Sequence, residues 1–286
     1  MKTVSLSEST ESLASAVVQE FREQIDTYYQ ANRRSFPWRE TTDPYSIMVS
    51  EIMLQQTQTD RVVPKYRAFL TKFPNFAALA AATTAEVLTM WQGLGYNRRA
   101  LALKRSAEQV VTEWKGHFPP DLEQLVTLPG IGKATASAIL AFAFNQPVAF
   151  IETNIRRVYI HFFFEDAAEV SDKELMPLIA QTVDVTQPRE WYYALMDYGA
   201  MLPKVLVNPN RRSAHYAKQS PFEGLRRQVR GKILKLLVAQ SPWSVNLLVQ
   251  EASGTKDLKT SEECLLQLAA EGFVVLENDQ VALAQK

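Results

Sequence analysis

The sequence predicts an all-α array over roughly the first 220 residues, followed by a smaller α+β unit. Three observations carry that expectation. Apolar residues recur at helical spacing in one segment after another. Strand-like alternation is nearly absent before Phe273. A polar stretch at 208–224, holding Pro209 and Pro221, separates the two parts. The expected organisation is a short N-terminal start (1–15), a helical domain (16–222) and a C-terminal domain (223–286).

The elements follow in order. Residues 1–15 are rich in Ser, Thr and Glu and lack an apolar core, so they read as a frayed start and not as a secretory signal. Residues 17–29 set Val17, Val18, Phe21 and Ile25 at helical spacing, and 45–57, 63–73, 84–91 and 100–114 look similar. Thr84-Ala85-Glu86 and Asp121-Leu122-Glu123 resemble helix starts, while Pro119-Pro120 and Pro129-Gly130 punctuate. Residues 135–144 form a small-residue helix able to approach a neighbour closely. Beyond the loop, 227–239 is amphipathic, with Val229, Ile233, Leu236 and Leu237 on one face. Residues 244–252 and 261–271 give two more helices, and 272–283 reads as a hairpin turning at Asn278-Asp279. Three helices and a hairpin make a winged-helix-like domain. Such domains commonly meet DNA through the third helix, but here 261–271 carries Glu262, Glu263 and Glu271 and no base, which favours a structural or protein-contact role.

Composition narrows the function. A hydrophobic share of 47% and a charged share of 22% are those of a soluble globular chain. No apolar run approaches the ~18 to 20 residues of a membrane span. One cysteine, Cys264, excludes an intrachain disulfide and fits a reducing, cytoplasmic setting; it sits at apolar spacing with Leu265 and Leu268 and reads as core. Net charge is zero, yet residues 196–235 hold nine bases against two acids, a local excess of seven. Smaller pairs stand at Arg33/Arg34, Arg98/Arg99, Lys104/Arg105 and Arg156/Arg157. Single pairs are ordinary solvated charge; Arg clustered in one segment points towards phosphate.

Leu128-Pro129-Gly130-Ile131-Gly132-Lys133 lies between two helical segments. Two glycines two apart allow a tight hairpin with exposed N–H groups, beside the positive end of a helix starting near Ala134. That suits a DNA phosphate without base reading. Taken alone, the pattern also suits a plain helix–helix turn.

Its surroundings decide between the two. Phe36-Pro37-Trp38-Arg39, Ser50-Glu51-Ile52-Met53-Leu54-Gln55-Gln56-Thr57-Gln58, Trp91-Gln92-Gly93-Leu94-Gly95-Tyr96, the hairpin, Glu152-Thr153-Asn154-Ile155-Arg156-Arg157-Val158 and Met196-Asp197-Tyr198-Gly199-Ala200-Met201 occur in this order. Their order and spacing resemble the adenine DNA glycosylase branch of the helix–hairpin–helix superfamily, over roughly residues 20–205. The resemblance implies a helix–hairpin–helix glycosylase fold and double-stranded DNA with a damaged or mispaired base as partner. A monomer is expected.

Breaking an N-glycosidic bond needs a protonated leaving base and an anion facing the oxocarbenium-like sugar. By resemblance Glu51 is the acid that protonates adenine at N7. Val49, Ile52, Met53 and Leu54 would give it an apolar site that keeps its proton. The family's second carboxylate is an aspartate; here Glu152 stands there, one methylene longer, and Asn154 matches the asparagine beside the sugar. Gln55 and Gln56 match the segment that wedges into the duplex. Tyr96 matches the loop that probes the opposite strand, although Asn97 replaces a second tyrosine. Trp38 and Arg39 flank the base pocket by the same analogy. Gly130, Gly132, Lys133, Arg156, Arg211 and Arg212 are the expected phosphate contacts. Tyr45, Phe69, Trp91 and Phe142 read as core.

Three departures bear on the reaction. Bifunctional relatives carry a nucleophilic lysine where Ala134 stands. Lys133 is one position earlier, about 100° away on a helix, so a monofunctional glycosylase is expected. The family's four cysteines for an iron–sulfur cluster are absent, Met201-Leu202-Pro203-Lys204 standing there, so no cluster is expected; the hairpin leaves room for a monovalent cation. The C-terminal part is too short and too helical for the Nudix-like domain that recognises 8-oxoguanine. The base removed therefore stays open between adenine and uracil, thymine or hypoxanthine, and a lesion-binding protein without turnover stays open beside them.

Overall fold

The computed structural model describes residues 12–217, 226–254 and 257–285. The expected frayed start up to residue 11 and the end of the expected loop, with Lys218 and Pro221, lie outside them. Among the described residues the chain forms helices α1 (Ser15–Asn32), α2 (Pro44–Leu54), α3 (Thr59–Lys72), α4 (Phe76–Ala81), α5 (Thr84–Trp91), α6 (Arg98–Trp114), α7 (Leu122–Leu125), α8 (Lys133–Phe144), α9 (Thr153–Phe163), α10 (Asp172–Thr182) and α11 (Pro188–Val205). Then come α12 (Arg226–Ala239), strand β1 (Trp243–Ser244), α13 (Val245–Ser253), α14 (Leu258–Ala270), β2 (Val274–Glu277) and β3 (Gln280–Leu283). No helix among the described residues is long and apolar enough to cross a membrane.

Two compact units gather these elements. One comprises Met1–Ile47, Pro120–Thr127 and Ile131–Lys218; the other Met48–Pro119, Leu128–Gly130 and Gln219–Lys286. The chain passes from one to the other inside α2 and again inside the glycine hairpin.

The first unit is built on α1, α9 and α11. Phe21 of α1 is fully buried and meets Tyr159, Phe162, Phe163 and Trp191 edge-on at 5.0 to 5.6 Å. Such edge contacts add to what burial alone supplies. Gly199 lets α11 close on α9: a Cβ there would stand 2.4 Å from the Asn154 carbonyl oxygen. Any side chain there would force α11 away from α9, the helix that Glu152 caps.

The second unit packs α3, α5 and α6 around Phe69 and Trp91, both fully buried. The expected start of α5 moves by one residue. Thr83 is the cap, its hydroxyl accepting from the Glu86 N–H while the Glu86 carboxylate accepts from the Thr83 N–H. Asp121 caps α7 as its side chain predicts. In the C-terminal part the hairpin turns at Asn278 and Asp279, with φ of 48° and 61°. β1 was not legible, since two residues show no alternation; it completes an antiparallel sheet of order β1-β3-β2, the winged-helix arrangement. Its third helix begins earlier than expected and so does carry one base, Lys259. Cys264, Tyr45, Phe69, Trp91 and Phe142 are all buried, as expected.

Candidate active site and nucleic-acid interface

Glu51 lies in the last turn of α2, half-buried, between fully buried Ser50 and buried Ile52 and Met53. The helix ends at Leu54, and its last carbonyls need donors from elsewhere. Arg99 supplies them. Its Nη1 donates to the carbonyls of Ile52, Met53 and Gln55 at 2.8, 3.0 and 2.5 Å. Its Nη2 donates to Thr57 Oγ1 at 3.0 Å and to the carbonyls of Leu94 and Gly95 at 3.3 and 3.1 Å. The guanidinium also lies over the rings of Trp91 and Tyr96 at 5.4 and 5.6 Å. Burial draws it down to about 10, against the Tyr96 hydroxyl. One cation thus fixes the Glu51 helix end, the Gln55–Gln56 turn and the loop before Tyr96. Sequence reasoning missed Arg99: its neighbour Arg98 has the same side chain and a different task.

Gln56 and Tyr96 both adopt left-handed backbone, with φ of 55° and 47°, and both are exposed. Non-glycine residues there carry strain of about 1 kcal/mol or more. Arg99 braces both positions through the carbonyls of Gln55 and Gly95 just before them. Gln55 Nε2 reaches the Gly130 carbonyl at 3.4 Å. Gly130 itself has φ of 77°, and a Cβ there would stand 2.8 Å from that of Ala102. The hydroxyl of Ser106 holds the Pro129 carbonyl at 2.9 Å. On the other side of the hairpin, Gly132 caps α8 without a side-chain bond, and Gly132, Lys133 and Ala134 are exposed. The first N–H groups of α8 are left without a side-chain cap, and a helix N-terminus of that kind suits an anion.

In the first unit Glu152 caps α9. Its Oε1 accepts from the N–H groups of Asn154 and Ile155 at 2.7 and 2.8 Å, and its Oε2 from Asn154 Nδ2 at 3.3 Å. Asn154 is held in turn: its Oδ1 accepts from Arg157 Nη1 at 2.8 Å, which also donates to the Gly199 carbonyl at 2.5 Å. Arg157 Nε donates to Asn208 Oδ1 at 3.0 Å, and Asn210 Nδ2 to the Thr153 carbonyl at 2.9 Å. Burial pushes the Glu152 carboxyl up from the usual carboxylate range. The two backbone N–H groups, Arg157 and Arg156 pull the other way without cancelling it. Glutamate is not a favoured cap, Asp, Asn, Ser and Thr being the usual choices. The longer side chain nevertheless reaches back to the helix N–H groups.

Several expected DNA contacts already have partners within this unit. Arg39 is buried and gives Nη1 and Nη2 to Asp197 at 2.9 and 2.8 Å, with its guanidinium 4.5 Å from the centre of the Tyr193 ring. Arg34 adds its Nε at 2.6 Å and its N–H at 2.9 Å to the same carboxylate. Burial opposes ionisation of Asp197, yet Arg39 and Arg34 together hold it below its usual range. Trp38 is buried and stacked on Phe36, ring centres 5.0 Å apart. Arg156 grips Asp172 through two bonds of 2.7 and 2.8 Å. Arg212 donates to the carbonyls of Phe164 and Glu165, closing the end of α9. Arg211 remains exposed in a short 3-10 turn.

The resemblance also implies an iron–sulfur cluster. Where its cysteines would stand, α11 runs on through Met201, Leu202, Pro203 and Lys204, with Leu202 fully buried. The sole thiol, Cys264, is fully buried in the other unit. These residues do not fit a cluster that takes four thiolates.

Residues 49–181 match the HhH-GPD superfamily of base excision DNA repair proteins, which defines the class. The chain is 36% identical over 230 residues to the adenine DNA glycosylase of Mycolicibacterium smegmatis, covering 74% of this chain and 78% of that protein. It is 35% identical over 182 residues to the adenine DNA glycosylase of Buchnera aphidicola subsp. Baizongia pistaciae, covering 62% of this chain and 51% of that protein, so it spans about half the length of this relative. A solved thermostable thymine-DNA glycosylase superposes with a TM-score of 0.60 at 27% identity, over 69% of this chain and 92% of that one. This chain belongs to the adenine DNA glycosylase family of that superfamily.

Proposed function

We propose that this chain is a monofunctional DNA glycosylase that hydrolyses the bond between deoxyribose and a mispaired adenine in duplex DNA. Glu51 gives its proton to N7 of the base. The C1′–N9 bond breaks, and its electron pair leaves with the base. Glu152, oriented by Asn154, supplies the anion for the sugar cation. Water adds at C1′ and returns a proton to the Glu51 carboxylate, leaving free adenine and an abasic site. Gln55, Gln56 and Tyr96 engage the opened duplex, and Gly130, Gly132, Lys133 and Arg211 serve as phosphate contacts. The enzyme works as a cytoplasmic monomer without an iron–sulfur cluster, in the domain division 16–222 and 223–286.

The observation that carries this reading is the anchorage of Glu152. The one residue that departs from the family's catalytic pattern is held by two backbone N–H groups and an asparagine, as a carboxylate kept for electrostatic use would be. The exposed Ala134 at the start of α8 offers no amine, which supports hydrolysis over strand cleavage. A second reading, thymine removal, draws on the name of the structural relative. Duplexes carrying single adenine, thymine, uracil or hypoxanthine mismatches separate the two. Adenine should be released first, and borohydride should trap no enzyme–DNA adduct. Preferential thymine release, or a trapped adduct, would overturn the base assignment or the monofunctional one.

A further inference from the structure

The second unit holds a groove of about 1430 Å³. The Gln55–Gln58 turn and the loop at 92–97 form one side, and α12 of the C-terminal part forms the other. Among the described residues seven cations line it and no carboxylate does: Arg61, Lys65, Arg98, Arg227, Arg230 and Lys235, with Arg99 beneath. Glu271, at the end of α14, is engaged by two of these cations. It accepts from Arg98 Nε and Nη2 at 2.8 and 2.5 Å and from Arg230 Nη2 at 2.6 Å, which ties α6 to α12. A groove of this net charge stays electropositive after that neutralisation. Arg227, Gly231 and Lys235 follow at four-residue spacing, so they share one face of α12. Gly231 has no packing reason to be glycine: a Cβ there would meet nothing within 4 Å. Glycine in a helix interior is unfavourable unless something must come close. The expected recognition helix is the poorer surface. α14 holds Glu262 and Glu263 against a single Lys259, and Glu263 pairs with Arg226 of α12.

We propose that this groove is a phosphodiester track, in which α12, the first helix of the winged-helix domain, grips one strand of the DNA beside the Gln55–Gln56 turn. The proposal rests on the reading that DNA is the substrate. It assigns the C-terminal domain a backbone contact that carries no base reading. The test is fluorescence anisotropy with a labelled duplex over about 50 to 200 mM salt, where each lost phosphate contact lowers the log–log slope by about 0.9. Arg227→Gln with Lys235→Gln should weaken binding about tenfold and reduce the slope by about 1.8, on an intact fold by circular dichroism. Gly231→Trp should weaken binding by obstruction, with the slope kept. Lys259→Gln should change neither. Unaltered affinity and slope in the double variant would overturn the track, as would the same loss in Lys259→Gln. Because binding is read without turnover, a wild type that binds through the groove but releases no base would sink the glycosylase reading alone.

Discussion

In the first unit Arg39, Arg156, Arg157 and Arg212 all end on acceptors of their own chain, whereas in the second Lys65, Arg227 and Lys235 line a groove with no carboxylate among its described lining residues. The difference separates two uses of one kind of charge. Cations with fixed partners give the site its shape: they hold Asp197, close α9 and keep Asn154 against Glu152. Cations that line a groove meet a polyanion that enters it, and such contacts answer to salt. Arg99 stands between the two, lining the groove while its donors are committed to carbonyls at the end of the Glu51 helix. Substitutions at four positions test that division.

The largest effect should come from Asp197→Ala. It leaves Arg39 buried without its carboxylate, and loss of one partner from a buried pair costs about 3 to 5 kcal/mol. Denaturant unfolding should show it, and a loss below 1 kcal/mol would mean the pair holds little.

Glu152→Gln should slow base release by about 10² to 10³-fold, the usual cost of removing one electrostatic stabiliser. Stability should move the other way. The folded carboxyl is raised above its unfolded value, so between those two values the folded state holds the extra proton and stability falls as pH rises. Gln removes that penalty at neutral pH. The melting temperature should therefore rise at pH 7, and the gain should vanish near the ordinary carboxylate range. Glu152→Asp sharpens the point. It keeps a good cap but withdraws the charge by about 1 Å, so release should slow, whereas faster release would mark Glu152 as a defect.

Arg99→Lys should cost about tenfold in base release with the fold retained. A lysine cannot span five carbonyls and a hydroxyl with one ammonium. Full activity in this variant would remove Arg99 as a positioning residue. The smallest effect belongs to Arg212→Gln: about 1 kcal/mol of stability, with the salt dependence of binding unchanged. A changed salt slope would place Arg212 among the DNA-facing cations and blur the division between the units.

Much of the fold was legible because helices announce themselves through spacing. α5 at 84–91 and the helices ending at Trp114, Phe144 and Ala239 lie within one or two residues of their expected bounds. The turn at Asn278-Asp279 was legible from its chemistry. β1 was not, because its two residues owe their conformation to β3 and not to any local pattern. The candidate site residues could be named from ordered motifs, but their engagement could not. Arg98 and Arg99 are adjacent and alike, yet one pairs with Glu271 and the other caps α2. Likewise the basic run at 196–235 reads as one feature. In the fold Arg212 closes α9, while Arg227 and Lys235 line a groove formed by residues more than a hundred positions away. Partners brought together by tertiary packing leave no trace in local composition.

The central claim is that Glu51 and Glu152 carry out hydrolytic release of adenine. Single-turnover release from duplexes with adenine opposite guanine or 8-oxoguanine, for the wild type and Glu51→Gln, tests it most directly. The account predicts free adenine and an unbroken abasic strand from the wild type, with Glu51→Gln binding equally but about 10² to 10⁴-fold slower. A wild type that binds these duplexes and releases no adenine from either would contradict it.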